Sequence, residues 1–130
     1  MTVLLDTQCW IWMTSFQERL STRAQALLSS GEHRLYLSVA SMWEIAIKYA
    51  VGKLRLPEPP ASYVPSRLVA MGVHALPIGL EHALHVATLP LHHRDPFDRL
   101  LIAQAQLEDF AILTSDSRFA PYDVTVIPAA

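Results

Sequence analysis

The stretch DPFDRLLIAQA, residues 95–105, contains a helix start followed by one unusual charge. Asp95 is a residue type that commonly caps a helix, and Pro96 suits the first turn, where its missing N–H costs nothing. One face of the predicted helix, at spacing i, i+3, i+4 and i+7, consists of Asp98, Leu101, Ile102 and Ala105. A carboxylate on a core-facing side is costly unless it is paired or binds a metal. Asp98 is therefore predicted either to have an arginine-type partner or to belong to a functional site.

The bulk properties are those of a small globular protein. The chain has 130 residues, of which 52% are hydrophobic and 17% charged, so residues 1–130 are interpreted as one domain with a sizeable core. No apolar run approaches the roughly 18 residues of a membrane span, and the start has no basic-then-apolar leader. We therefore expect a cytoplasmic location. The single Cys9 excludes an internal disulfide and a cysteine-built zinc site.

The net charge of −2 does not exclude a nucleic-acid partner. It is the balance of 12 acidic and 10 basic residues. If four of the acids bound metal, the remaining charge would be positive, which is compatible with RNA or DNA.

Short apolar segments alternate with helical ones along the chain. Strands are predicted at 3–5, 35–37, 73–76, 111–114 and, as a possible fifth, 124–127. Helices are predicted at 8–13, 23–28, from a cap at Ser38 or Ser41 to 50, at about 66–71, from 79 to before Pro90, and from 96 to about 108, with 56–60 as an extended connection. This alternation predicts an α/β protein of three α/β/α layers, with a mostly parallel sheet of four to five strands.

Four carboxylates fall where such a fold would bring them together. Asp6 and Asp116 each follow a predicted strand, and ligands of open α/β sheets bind beyond those strand ends. Glu44 lies in a helix that is apolar nearly all round, and Asp98 lies on the apolar face described above. Each acid also has a simpler interpretation. The two Asp residues could be helix caps, Glu44 could pair with Lys48, and Asp98 could pair with Arg94 or Arg99.

The simpler interpretations weaken when the four acids are considered together. Two carboxylates about 4 Å apart repel by about 4 kcal/mol at an effective dielectric near 20, so four would not stay ionised without a cation. Oxygen ligands select Mg²⁺ or Mn²⁺. Such a site suits metal-assisted phosphodiester hydrolysis.

Four blocks of sequence, in order, carry a family resemblance: LLDT at 4–7, WEIAIK with GKL at 43–48 and 52–54, DPFDRLLIAQA at 95–105 and LTSDSRF at 113–119. Together they resemble the PIN-domain ribonucleases and, within that family, the VapC toxins of type II toxin–antitoxin systems. The resemblance implies an endoribonuclease, dependent on one or two Mg²⁺ or Mn²⁺ ions, that uses a metal-activated water and leaves a 5′-phosphate and a 3′-hydroxyl. It also implies a homodimer that a VapB-type antitoxin holds inactive.

The resemblance places Asp6, Glu44, Asp98 and Asp116 at the family's acidic metal-site positions. Asp95 is a second acid beside Asp98, and helix phase favours Asp98 as the ligand with Asp95 as the cap. Arg94, Arg99 and Arg118 flank proposed ligands and are the candidates for contact with substrate phosphate. Thr7 and Ser115 are candidates either for capping or for hydrogen bonds to the ligand carboxylates, and Thr114, nearer the end of the last of these strands, is the better candidate there for such a hydrogen bond.

Other residues have mainly structural interpretations. His92 and His93 are predicted to lie in a solvated loop, with contact to phosphate as the alternative, and His82 and His85 are predicted to be structural. The three tryptophans, Trp10, Trp12 and Trp43, are assigned to the core by default, with exposure to a partner as the alternative.

Two further functions use the same residues differently. One is a catalytically silent PIN-like module that binds RNA or protein, and the other is a metal-dependent small-molecule phosphatase. The residue two after Asp6 is Gln8, so the second Asp of a haloacid-dehalogenase phosphatase is missing. No motif specifies which RNA would be cleaved, because recognition of single-stranded or looped RNA depends on shape and stacking.

Overall fold

Five parallel strands form the central sheet of the computed structural model, which describes residues 1–130. The strands are β1 (Thr2–Leu5), β2 (Arg34–Ser38), β3 (Val73–Leu76), β4 (Ala111–Thr114) and β5 (Val126–Pro128). Their order across the sheet is β3-β2-β1-β4-β5, and every neighbouring pair is parallel. The prediction of a mostly parallel α/β sheet is confirmed, and the possible fifth strand is present, shifted by two residues at its start.

Six helices cover the sheet: α1 (Thr7–Ser15), α2 (Thr22–Ser29), α3 (Val39–Ala50), α4 (Pro60–Met71), α5 (Leu80–His85) and α6 (Pro96–Glu108). Several begin at side-chain caps visible in the sequence. Ser21 accepts a hydrogen bond from the N–H of Ala24, and Ser38, rather than Ser41, caps α3. Such caps satisfy N–H groups that have no partner inside the helix.

The sheet separates two apolar cores because successive strand residues point to opposite faces. In β1, Val3 and Leu5 pack against α1, α2 and α4, whereas Leu4 packs with the apolar face of α6. All three side chains are fully buried. This arrangement is the predicted three-layer α/β/α architecture.

Helix α4 begins earlier than predicted. It starts at Pro60, six residues before the predicted start, because Pro60 suits the first helical position. The helix then continues through Pro65, a residue that usually breaks a helix. Tyr63 and Val64, just before Pro65, are both buried in the core that contains Val3 and Leu5.

No helix is long and apolar enough to cross a membrane.

Candidate metal centre at the carboxyl edge of the sheet

A cleft of about 320 Å³ opens at the edge where β1 and β4 end. Five carboxylates line it, those of Asp6, Glu44, Asp95, Asp98 and Asp116. Only two cationic side chains, Lys48 and Arg118, accompany them. The four acids of the sequence hypothesis therefore share one cleft, and Asp95 shares it with them.

Asp6 lies at the floor of the cleft and is 5% exposed. Its Oδ1 accepts a hydrogen bond of 2.7 Å from the N–H of Cys9, which caps α1, and its Oδ2 accepts one from the hydroxyl of Thr114. Burial raises the pKa of Asp6, and the nearby charge of Asp116 adds to the shift, although the two hydrogen bonds oppose it. Asp6 is thus both a helix cap and a cleft residue.

Glu44 projects from α3 and is 7% exposed. Its Oε2 lies 2.8 Å from Nζ of Lys48, so the predicted i,i+4 ion pair is present. Its Oε1 is buried and has no hydrogen-bond partner. An unpartnered buried carboxylate oxygen is costly, so the ion pair alone does not account for this side chain.

Asp95 and Asp98 have different roles at the start of α6. Oδ1 of Asp95 accepts hydrogen bonds from the N–H groups of Phe97 (2.9 Å) and Asp98 (3.2 Å), which makes Asp95 the cap of α6. Asp98 lies in the first turn of the helix with its side chain 19% exposed. Burial raises the pKa of Asp98 to about 8, and the surrounding carboxylates, Asp95 first, add to the shift.

Asp116 behaves in the opposite way. The guanidinium of Arg118 lowers the pKa of Asp116 to about 2, through hydrogen bonds that include one of 2.7 Å from Nη2 to Oδ2. Oδ1 also accepts the N–H of Arg118, so Asp116 caps the short 3₁₀ turn that follows β4. The pKa of Asp116 is thus shifted in the direction opposite to those of Asp6 and Asp98.

The donor set suits a hard divalent cation. The cleft offers carboxylate oxygens, hydroxyls and the side-chain amide of Gln8. One of its carboxylate oxygens is buried without a partner, and burial and nearby carboxylates raise the pKa of both Asp6 and Asp98. A Mg²⁺ or Mn²⁺ ion would relieve each of these costs.

His93 contacts two acids of the cleft, and the sequence did not predict this. It was predicted to lie in a solvated loop, but it is fully buried, so that prediction is wrong. Its Nε2 lies 2.9 Å from Oδ2 of Asp98 and 3.2 Å from Oδ2 of Asp116. The neighbouring His92 is exposed, as predicted. The only signal in the sequence was the position of His93 close before Asp95.

The three candidate arginines occupy different surroundings. Arg118 is exposed at the rim of the cleft, and Arg94 is exposed beside the start of α6. Arg99 instead turns away to bond backbone carbonyls: Nη1 donates to those of Pro90 and His93, and Nη2 donates to those of Val86 and Leu89. Because both Nη1 and Nη2 donate to backbone carbonyls, Arg99 has a structural position.

The hydroxyl candidates also differ. Thr114 donates to Asp6 and accepts the N–H of Asp116, so it contacts two of the acids. Thr7 donates to Oγ of Ser41 (2.8 Å) and makes no hydrogen bond to a carboxylate. Ser115 lines the cleft and is exposed.

His82 and His85 join two helices. Nδ1 of His82 accepts the N–H of Gly79, and its Nε2 lies 3.1 Å from Oε2 of Glu108. His85 contacts Gln106 through Nε2 at 2.7 Å. Both link α5 to α6, and neither lines the cleft, which agrees with the predicted structural role.

An exposed apolar surface lies beside the cleft. Along α3 and at the residue that follows it, four apolar side chains recur at i, i+4, i+8 and i+12: Val39, Trp43, Ile47 and Val51, which are 38%, 59%, 40% and 63% exposed. Trp43 packs edge-on against Phe97 at 5.3 Å and helps line an apolar hollow of about 270 Å³ with Ala83, Val86, Pro96 and Leu100. Assigning Trp43 to the core was wrong, whereas Trp10 is fully buried.

Known proteins resemble this chain in both sequence and fold. A ribonuclease of Mycobacterium tuberculosis, VapC16, is 44% identical over 61 residues, which span 47% of this chain and 43% of the relative's length. VapBC2 from Rickettsia felis, solved bound to a DNA fragment from its promoter, has a TM-score of 0.74 at 14% identity, with both chains fully covered. DNA-bound VapBC from Salmonella typhimurium has a TM-score of 0.68 at 17% identity and covers 98% of each chain.

The two structural matches show a common fold, which the sequence identity alone would not. The PIN domain family profile matches residues 3–124, nearly the whole chain and every acid of the cleft. This chain belongs to the PIN-domain family.

Proposed function

We propose that this chain is a Mg²⁺- or Mn²⁺-dependent endoribonuclease, the toxin of a type II toxin–antitoxin pair. The observation that carries the proposal is the convergence of Asp6, Glu44, Asp98 and Asp116 on one cleft, with Oε1 of Glu44 buried and unpartnered. Membership of the PIN-domain family and the sequence identity with VapC16 support the choice of RNA as substrate.

The four acids would hold one or two ions, and Asp95 would remain mainly the cap of α6. When bound, a divalent ion supplies Lewis acidity and activates water for phosphodiester hydrolysis. The chain's own contribution is to hold the carboxylates in place. Asp6 and Asp116 are tied to each other through Thr114, and Asp98 is fixed by the helix that Asp95 starts.

Positive side chains at the rim would bind the substrate's phosphates. Lys48 and Arg118 each pair with a proposed ligand, Glu44 and Asp116 respectively. An ion bound by these carboxylates would compete with both pairs and leave the ammonium and guanidinium groups free for RNA. Arg94, exposed next to the cleft, is a third candidate.

The apolar surface of α3 would bind protein. A patch that exposes Trp43, Ile47 and Val51 on a small domain is typical of an interaction surface. The solved VapBC complexes pair a protein of this fold with a second chain. We propose a homodimer and a VapB-type antitoxin as the partners of this chain.

The test is RNA cleavage by Asp98→Asn with and without Mg²⁺. We expect the variant to lose at least 100-fold in rate, a loss typical for removal of a group that stabilises transition-state charge. Asp109→Asn is the matched control, because Asp109 is exposed at the other end of α6 in a left-handed conformation that Asn tolerates. The control is expected to cleave like the wild type.

Other outcomes would favour the other functions. A wild-type protein that binds no Mn²⁺ at millimolar concentration, while folded, would favour a catalytically silent binding module. Release of phosphate from small phosphoesters without any RNA cleavage would favour a phosphatase. Full activity of Asp98→Asn would remove Asp98 from the site.

A further inference from the structure

His93 is a buried histidine at the junction of two proposed ligands. It lies in the loop between α5 and α6, and its side chain is fully buried. Its Nε2 is 2.9 Å from Oδ2 of Asp98 and 3.2 Å from Oδ2 of Asp116, and the contact with Asp116 meets hydrogen-bond geometry. Phe119 packs edge-on against its ring at 5.4 Å. A single imidazole nitrogen thus contacts carboxylates that come from α6 and from the end of β4.

The other ring nitrogen fixes the position of the proton. Nδ1 of His93 accepts a hydrogen bond of 3.2 Å from the backbone N–H of Asp95. Because a backbone N–H can only donate, Nδ1 must carry a lone pair, and the proton of the neutral ring is on Nε2. Nε2 is then a donor that faces two carboxylates, and it has no lone pair with which to bind a metal.

The loop that carries His93 is held by two further side chains. The guanidinium of Arg99 donates to the carbonyls of Pro90 and His93. The hydroxyl of Tyr122 donates to Pro90 (2.6 Å) and accepts the N–H of His93 (2.8 Å). The buried conformation of the loop, and with it the orientation of the ring, follows from these contacts.

We propose that His93 is a positioning residue, whose Nε2–H sets the relative orientation of the carboxylates of Asp98 and Asp116 for metal binding. This inference rests on the proposed metal-dependent function. A neutral N–H suits the task, because it bridges two like charges without adding a positive charge that would compete with the cation. Groups that hydrogen-bond ligand carboxylates in this way orient them and tune the affinity for metal.

Two substitutions of His93 test the role of the Nε2–H donor separately from that of the rest of the ring. His93→Gln places an amide N–H near the position of Nε2, whereas His93→Asn places an amide oxygen near Nδ1 and has no donor that reaches the carboxylates. Titration with Mn²⁺ in the absence of RNA measures the effect. We expect His93→Asn to bind Mn²⁺ 10- to 100-fold more weakly, the usual cost of losing such a contact, and His93→Gln to stay within a few-fold of the wild type.

The outcomes distinguish this inference from the proposed function. A wild-type protein that binds no Mn²⁺ would overturn the metal-dependent function and the positioning role with it. A wild-type protein that binds Mn²⁺ together with equal affinity in the Gln and Asn variants would overturn the positioning role alone.

A measurement on the wild-type protein does not depend on whether the variants fold. The ¹⁵N shifts of the His93 ring, recorded with and without metal, report which nitrogen carries the proton. We expect Nε2–H in both states. A proton on Nδ1, with a metal-dependent shift at Nε2, would show that His93 is itself a ligand and would overturn the positioning role.

Discussion

The hydroxyl of Thr114 donates a hydrogen bond to Oδ2 of Asp6, although the two residues lie 108 positions apart. Parallel pairing of β1 with β4 places Leu5 opposite Leu113, so the next residue of each strand meets at the sheet edge. The same hydroxyl oxygen accepts the N–H of Asp116 at 3.0 Å. Thr114 therefore fixes the spacing between two acids of the cleft.

Thr114→Val should lower both the free energy of unfolding and the affinity of the site for metal. The substitution keeps the shape of the side chain but leaves a buried carboxylate oxygen and the N–H of Asp116 without their partner. We expect a loss of about 1–3 kcal/mol in the free energy of unfolding, measured by urea denaturation, together with weaker Mn²⁺ binding. Thr125→Val, at an exposed threonine on the approach to β5, should change the unfolding free energy by less than about 0.5 kcal/mol. Equal effects of the two substitutions would contradict the role of Thr114.

The raised pKa of Asp98 predicts that the metal-free protein loses stability as pH rises. Burial and nearby carboxylates raise this pKa to about 8, above the value of about 3.9 in an unfolded chain. The folded state therefore binds more protons between these values, and the stabilisation is present below about pH 4 and lost as pH rises through about 8. The lowered pKa of Asp116 acts below about pH 4 and does not affect this range.

Urea midpoints in EDTA, at about pH 5.5, 7 and 8.5, measure this dependence. Asp98→Asn should reduce the slope, because the amide does not titrate, and saturating Mn²⁺ should also reduce it in the wild type. A midpoint that rises with pH in the metal-free wild type would contradict the assignment.

The sequence predicted the positions of the acids well because the signals for them are local. Strand ends, the Asp95–Pro96 helix start and the phase of Asp98 all depend on short-range patterns, and parallel pairing then brings the acids to one edge. The roles of His93 and Arg99 depend instead on tertiary contacts. Arg99 looked like a phosphate ligand because of its charge, yet backbone carbonyls bring its guanidinium inward. His93 is buried because of the conformation of the loop between α5 and α6, and no periodic pattern in the sequence predicts that conformation.

Arg118→Gln should have different effects on the binding of RNA and on the binding of metal. The substitution removes a charge that we propose to bind phosphate, so we expect KM for RNA to rise several-fold and the salt dependence of binding to become weaker. It also frees Asp116 from its ion pair, so the affinity for Mn²⁺ should stay the same or increase. Arg55→Gln, at an exposed arginine outside the cleft, is the control. A weaker affinity for Mn²⁺ with unchanged KM would mean that Arg118 acts by orienting Asp116.

Trp43→Ser should weaken self-association, because the apolar surface of α3 is the interface that we propose. Trp43 is 59% exposed, packs edge-on against Phe97 and helps line the apolar hollow, so its removal takes away contact area without opening the core. Loss of a central aromatic residue commonly costs 2 kcal/mol or more in binding, which is roughly a 30-fold weaker association. Light scattering over a concentration series would measure this change. Val69→Ser, at a residue of α4 that is 85% exposed, removes an apolar side chain elsewhere and should leave association unchanged. A shift in the oligomeric state with Val69→Ser but not with Trp43→Ser would place the interface on α4 instead.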